Sequence, residues 1–214
     1  SVSCEVCHLT RRAQVDPPFN FSYYIEPGRV KYSGREPEIQ SPAHKIVQND
    51  FFRTTEFCGN CHNEKNPYGI WVKSTQLEWM EGPYAREGVR CQDCHMPEGQ
   101  YTLALMGKER DDARLHLFHG AHDPGKVRGT IELRIEPDVR LAEPGENVVF
   151  TVVLFNQKTG HKFPTGSVED RIAWLEVEAT DAKGKTYHLE VDRKGFEDEE
   201  YTISGDYLAY QDMA

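Results

Sequence analysis

The chain has 214 residues, 38% hydrophobic and 28% charged, with 25 Lys and Arg against 35 Asp and Glu for a formal net charge of −10. That length suits one large or two small domains, and so low an apolar share calls for another source of core. The acidic balance argues against nucleic acid and anionic membrane surfaces as partners, and the longest strongly apolar run, Val148–Phe155, is too short to span a bilayer.

Cys4-Glu5-Val6-Cys7-His8 stands near the start. Asp16-Pro17-Pro18, Glu26-Pro27-Gly28, Ser33-Gly34 and Glu36-Pro37 follow, punctuation that predicts loop rather than long helix. Phe19, Phe21, Tyr23 and Tyr24 fit a short strand or an aromatic wall. Ser41-Pro42-Ala43-His44 predicts a helix start, with Ser41 as N-cap, Pro42 at the first helical position and an end near Phe52. Thr54-Thr55-Glu56-Phe57 leads into a short helix bearing Cys58-Gly59-Asn60-Cys61-His62, and Asn66-Pro67-Tyr68-Gly69 makes a turn. Ser74–Met80 reads as a helix ended by Gly82-Pro83, with Leu77, Trp79 and Met80 placed to pack on an apolar group. Cys91-Gln92-Asp93-Cys94-His95 comes next, closed by Met96-Pro97.

Residues 101–127 are mixed: Leu103–Leu105 fits strand or helix, and His116-Leu117-Phe118-His119-Gly120-Ala121-His122 gathers three histidines in seven residues. From about Gly129 the pattern becomes β. Thr130–Ile135 alternates, Asn147–Phe155 is rich in β-branched residues, Ala173–Ala179 alternates again, and the turn at 181–185 precedes Thr186–Val191. Short strands with turns between them predict an antiparallel sandwich, Ig-like or fibronectin-like. Phe196–Ala214 is acidic and rich in tyrosine. The expected class is α+β: an irregular, short-helix module over 1–127, then an Ig-like β-sandwich over 128–214.

The three cysteine stretches share the spacing C-x-x-C-H, the attachment signature of c-type haem, and hold all six cysteines of the chain. Two cysteines three apart can each form a thioether to one porphyrin, and the next histidine then reaches the iron. Zinc sites use four ligands, so their CxxC pairs come in twos. A disulfide framework does not ask for a histidine after each pair, and a thioredoxin-like CxxC needs a βαβ setting that is missing here. Three covalent haems are therefore expected on Cys4 and Cys7, Cys58 and Cys61, and Cys91 and Cys94, with His8, His62 and His95 as proximal ligands. The porphyrins would also supply the missing apolar core.

Six histidines remain, enough to give every iron a second one. The distal candidates are His44, His116 and His161, with His122 and then His119 as substitutes for His116; His188, in a strand, reads as structural. His161 sits in Thr159-Gly160-His161-Lys162-Phe163-Pro164-Thr165-Gly166, where two glycines and a proline make a tight, stiff loop. Methionine is the other common axial ligand. Met96 lies too close to its own motif, and Met80, Met106 and Met213 read as packing residues.

Ser41–His44, Thr55–His62, Glu78-Trp79, Tyr84-Ala85 and Gly88–Pro97 together resemble multihaem c-type cytochromes, in the broad group that includes hydroxylamine-oxidoreductase-like electron carriers. His116-x-Phe118-x-Gly120 looks like the distal-ligand segment of that group, and Thr159–Gly166 like the loop of the β-sandwich domain often fused to it. The resemblance spans roughly residues 1–190 and implies electron transfer, in some members through extracellular filaments. Similar proteins carry further motifs upstream of the position of Cys4, which makes a neighbouring subunit another source of the first haem's distal ligand.

The expected function is thus electron transfer through three bis-histidine haems, by a periplasmic or extracellular carrier, redox-complex subunit or filament subunit. Its partners would be redox proteins, other cytochrome subunits or further copies of the chain, with no nucleic acid and no transmembrane segment. Covalent haem attachment implies export, with any signal already removed. Two alternatives stand beside it: a multihaem oxidoreductase acting on small nitrogen or sulfur compounds at a five-coordinate haem, and a non-haem binding module built on the sandwich.

Overall fold

The computed structural model describes residues 3–37, 41–104, 107–171, 173–188 and 207–210. The chain divides into two compact units, Ser1–Gly166 and Ser167–Ala214. The strands expected to open a domain at 128 therefore belong to the same unit as the three motifs.

In the first unit the helices are short: α1 (Cys4–His8), α2 (Thr55–His62), α3 (Thr75–Glu81), α4 (Pro83–Glu87), α5 (Cys91–His95) and α6 (Pro124–Val127). Each motif is the body or end of one of them. A single helical turn puts positions i, i+3 and i+4 on one face, so both cysteines and the histidine of each motif share a side. Gly82 ends α3, and Pro83 opens α4 at a position that needs no backbone N–H. The turn at Asn66 forms as its sequence predicts, the Asn66 side chain accepting from the N–H groups of Tyr68 and Ile70 at 3.0 Å each.

Strands pair two by two. β1 (Thr10–Ala13) and β2 (Tyr23–Ile25) are antiparallel, β3 (Val30–Ser33) and β4 (Lys45–Gln48) parallel. β5 (Asn63–Lys65) pairs with β6 (Trp71–Ser74), β7 (Glu98–Tyr101) with β8 (Arg110–Arg114), and β9 (Ile131–Pro137) with β10 (Phe150–Asn156), all antiparallel. The second unit holds β11 (Ala173–Glu176), β12 (Glu178–Thr180), β13 (Thr186–His188) and β14 (Tyr207–Tyr210), with β11 paired to β14 and β12 to β13. The continuation of β13 to Val191, and the positions of Met106 and Met213, lie outside the described residues.

The helix expected from Ser41 to Phe52 does not form. Ser41 does accept from the Ala43 N–H at 3.1 Å, but the chain then extends into β4. Ile46 and Val47 are β-branched and suit a strand, and β3 offers a parallel partner in register from Val30 and Lys45 to Ser33 and Gln48. Only Asp50–Arg53 coils, as a 3₁₀ turn capped by Asn49.

The interior is polar. Among the described residues the buried hydrophobic ones are Tyr23 and Ala113, whereas Thr10, Thr55, Asn60, Asn63, Gln76, Gln92 and Thr130 are all buried. Asn63 donates to the Pro18 carbonyl (3.0 Å) and to Gln76 Oε1 (2.9 Å), and accepts from the Gln76 N–H (3.1 Å). Asn60 donates to the Glu56 carbonyl at 2.9 Å and accepts from Ser22 at 3.0 Å. These bonds satisfy groups that would be costly to bury alone, and they fix the C-terminal end of α2.

Candidate haem sites

α1 carries the first motif. His8 Nδ1 lies 2.6 Å from the Tyr32 carbonyl of β3, and the His8 ring faces Phe52 with centroids 5.7 Å apart. A ring nitrogen bonded to a carbonyl leaves the other free for a metal, the usual setting of a ligand histidine. Thr10, fully buried, ties back to the Val6 carbonyl at 2.7 Å.

α2 carries the second motif and touches the surroundings of both others. Phe57, just before Cys58, stacks on Phe52 at 4.7 Å and meets Phe51 and Tyr23. The Tyr23 hydroxyl lies 3.1 Å from Cys61 Sγ and donates to the Phe57 carbonyl at 3.3 Å. Burial, then the Cys61 contact, raises its pKa far above the tyrosine norm, with Cys7 and Cys58 adding to the effect. Cys7 in turn feels Cys61, and Cys58 hydrogen-bonds Cys91 of the third motif. The second motif's sulfurs therefore neighbour those of the first and the third, and order in sequence is order in space.

α5 carries the third motif. Asp93 accepts from the Arg90 N–H at 2.9 Å. Buried Gln92 donates to the carbonyls of Phe52 (3.1 Å) and Thr54 (2.8 Å), joining α5 to the start of α2. Arg114 of β8 donates to the carbonyls of Gln92 and Met96, and Lys126 of α6 to that of Cys94 at 2.5 Å. The His95 ring hydrogen-bonds the His119 backbone.

Two histidine pairs stand out. His62 faces His116 with ring centroids 6.3 Å apart and planes 23° from parallel; His95 faces His161 at 6.2 Å and 24°. Two imidazoles bound in line to one metal, each through a bond of about 2.0 Å, have centroids about 6.3 Å apart. Loose aromatic contacts also fall in this range, but here the same separation and tilt recur, each time between a motif histidine and a non-motif one. Desolvation, then the charges of His116, His95 and His161, pulls His62 down to about 4. Desolvation, then His161 and Lys126, lowers His95. Both rings are thus neutral near neutral pH, the form a metal requires.

The structure brings His116 and His161 to motif histidines and leaves the other candidates apart. His44 precedes β4, its Nδ1 buried without a hydrogen-bond partner. His119 places its ring 3.1 Å from Asp123, and His122 is exposed. His188 lies 3.2 Å from Glu178, its cross-strand partner. Phe118 separates the roles of His116 and His119. It adopts φ 59°, rare for a bulky residue, and its ring meets that of His116 at 4.3 Å. Sequence reasoning placed Tyr23 only in a strand or aromatic wall and assigned no role to Gln92, Arg114 or Lys126. Each acts through a contact at least 18 residues away in sequence, and no local pattern marks it.

The donor set fits covalent haem: paired thiols one helical turn apart, neutral imidazoles beside them, two slots of metal-spanning width and one orphaned ring nitrogen. No described helix is long and apolar enough to cross a membrane. No curated protein and no solved structure matches the chain. Residues 44–126 match the family model of the NapC/NirT cytochrome c family, N-terminal region, a stretch that includes the second and third motifs, His44 and His116. Over that stretch the chain is similar to the NapC/NirT cytochromes, and the similarity supports a multihaem c-type cytochrome with covalently bound haem, working in electron transfer with redox partners.

Proposed function

We propose that the chain holds three haems, on Cys4 and Cys7, Cys58 and Cys61, and Cys91 and Cys94, and serves as an exported electron carrier or carrier subunit, periplasmic or extracellular. His8, His62 and His95 are the proximal ligands; His116 is distal to His62, and His161 to His95. The two histidine pairs at 6.3 and 6.2 Å carry this reading. Haem c, when bound, supplies a one-electron iron couple whose potential follows ligation, hydrogen bonding and burial. The chain's own residues set those conditions. Carbonyls of Tyr32 and His119 orient His8 and His95, and the nearness of Cys58 to Cys91 and of Cys61 to Cys7 supports three sites in one connected row. Affiliation with hydroxylamine-oxidoreductase-like carriers, assembly into filaments and an Ig-like sandwich over 128–214 belong to the same proposal; the antiparallel strand pairs on that stretch are of the kind a sandwich uses, though β9 and β10 fall in the first unit and β11 to β14 in the second.

Mass spectrometry of the purified protein should show three haem additions, and EPR of the ferric protein low-spin iron at the second and third sites. His116→Ala and His161→Ala should each turn one third of the iron high-spin, and no change in either variant would refute the pairing. One contact favours a second reading for the first site: the ring facing His8 is Phe52 rather than a histidine. An open axial position there would suit the oxidoreductase alternative. A high-spin ferric signal in the wild-type protein that shifts with nitrite, sulfite or hydroxylamine would identify it.

A further inference from the structure

His161 lies in a loop, yet the loop is held by an acidic side chain more than 80 residues earlier. Glu78 projects from α3. Its Oε1 accepts from the Ser74 hydroxyl at 3.0 Å, one turn back on the helix side. Its Oε2 accepts from the Lys162 N–H at 3.1 Å and from the Thr165 hydroxyl at 2.7 Å. Thr165 also reaches Thr75 at 2.9 Å. The peptide on one side of His161 is thus bonded to α3 through a carboxylate.

The other side is fixed from β10. The His161 carbonyl accepts from Asn156 Nδ2 at 2.7 Å and from the Thr159 hydroxyl at 2.8 Å. Gly160 meets α3 and α4 so closely that an added Cβ would lie 2.6 Å from the Tyr84 ring. The imidazole itself has its Nδ1 2.8 Å from the Lys162 carbonyl, which leaves Nε2 for a metal. The bonds from Asn156 and Thr159 are internal to the strand and its loop. Glu78, Thr75 and Tyr84 are the groups that connect this loop to the helices.

We propose that Glu78 is a positioning residue for the third haem site: its carboxylate clamps Lys162 and Thr165 so that His161 stands opposite His95. The inference rests on the His95–His161 pairing proposed above. Carboxylates are stronger acceptors than neutral groups, and one that holds a backbone N–H beside a ligand fixes the ligand's direction as well as its distance.

The test uses the three-haem protein and three variants. Glu78→Ala should free the loop, so cyanide should bind one third of the ferric iron at least about tenfold faster than in wild type, the weight of one or two lost hydrogen bonds. Glu78→Gln keeps an acceptor for Lys162 and an amide for Ser74, and should restore most of the wild-type rate. His161→Ala sets the rate of a fully open site. If His161→Ala opens one third of the iron and Glu78→Ala does not, the clamp is wrong and the pairing stands. If His161→Ala opens nothing, both fail. Equal opening by Glu78→Gln and Glu78→Ala would show that bulk loss of the charge, not acceptor geometry, matters, and would also overturn the proposal. Should Glu78→Ala fail to accumulate, Thr165→Val removes one bond to the same carboxylate, and an unchanged cyanide rate in that variant would overturn the clamp.

Discussion

Gly160→Ala puts the packing of the His161 loop to a single-atom test. The added Cβ would lie 2.6 Å from Tyr84 Cδ2, and 3.3 Å from both Tyr84 Cβ and Trp79 Cδ1. Gly160 does not have a positive φ, so backbone strain plays no part and the effect is steric. Tyr84 cannot swing away freely, since its hydroxyl reaches the Lys158 carbonyl at 3.4 Å. Trp79 is held by its indole N–H on the Val89 carbonyl at 2.8 Å. To recover an ordinary contact of 3.4 Å the loop must retreat by about 0.8 Å. Overpacking of this kind costs about 1–3 kcal/mol. The retreat also widens the His95–His161 gap of 6.2 Å, more than a metal–imidazole bond of about 2.0 Å tolerates. Guanidinium unfolding should therefore show the lost stability, and EPR should show high-spin character in one third of the iron. Gly120→Ala is the control: it lies beside His119, and nothing stands within 4 Å of its added Cβ. A Gly160→Ala protein with wild-type midpoint and spectrum would refute the docking of the loop on α3 and α4.

Three further outcomes follow from the same contacts. Asn63→Ala removes three buried hydrogen bonds and should cost about 3 kcal/mol in denaturant unfolding; a loss under about 1 kcal/mol would show that the polar core is replaceable. His119→Ala should leave all low-spin signals in place, because His119 serves His95 through its backbone and uses its ring on Asp123; a new high-spin signal would make the ring a ligand. Asp112 is held below the usual carboxylate range by Arg110 first, with Arg35 contributing after. A depressed folded pKa means stability that is present above the ordinary value of 3.8 and lost as pH falls through the folded value. Asp112→Asn should thus weaken the protein at pH 7, with the gap to wild type closing below that value; a gap constant with pH would refute the ion pair.

The proposed haem-attachment half of the site can be read from sequence because its chemistry is local. Two thiols and an imidazole must share one helical turn, so five consecutive residues announce each site, and the family match over 44–126 agrees at the level of a c-type cytochrome. His116 and His161 were picked from residue type and loop character; which motif each would face was not readable, because that depends on where β8 and β10 deliver them. His44 shows the opposite limit. Ser41-Pro42 is a fair helix signal, but one or two tenths of a kcal/mol per residue of local preference yields to a parallel partner strand that arrives from residues 30–33. The clamp on the His161 loop was invisible for the same reason, since Glu78 and Lys162 meet across 84 residues.

The polar interior explains why the site is built this way. Helices of five to eight residues are too short to persist by their own hydrogen bonds, and α1, α2 and α5 are all of that length. Among the described residues few apolar side chains are buried, Pro18, Tyr23 and Ala113, and the proposed porphyrins would supply the rest of the apolar packing. Directional bonds hold them as well: Asn60 on α2, Asn63 at its C-terminal cap, Gln92 on α5, Thr10 beside α1. Dispersion contacts tolerate sliding, whereas a buried amide with three partners has one satisfactory position. The 6.2 and 6.3 Å separations, found at two sites through unrelated loops, are what that kind of scaffold would produce.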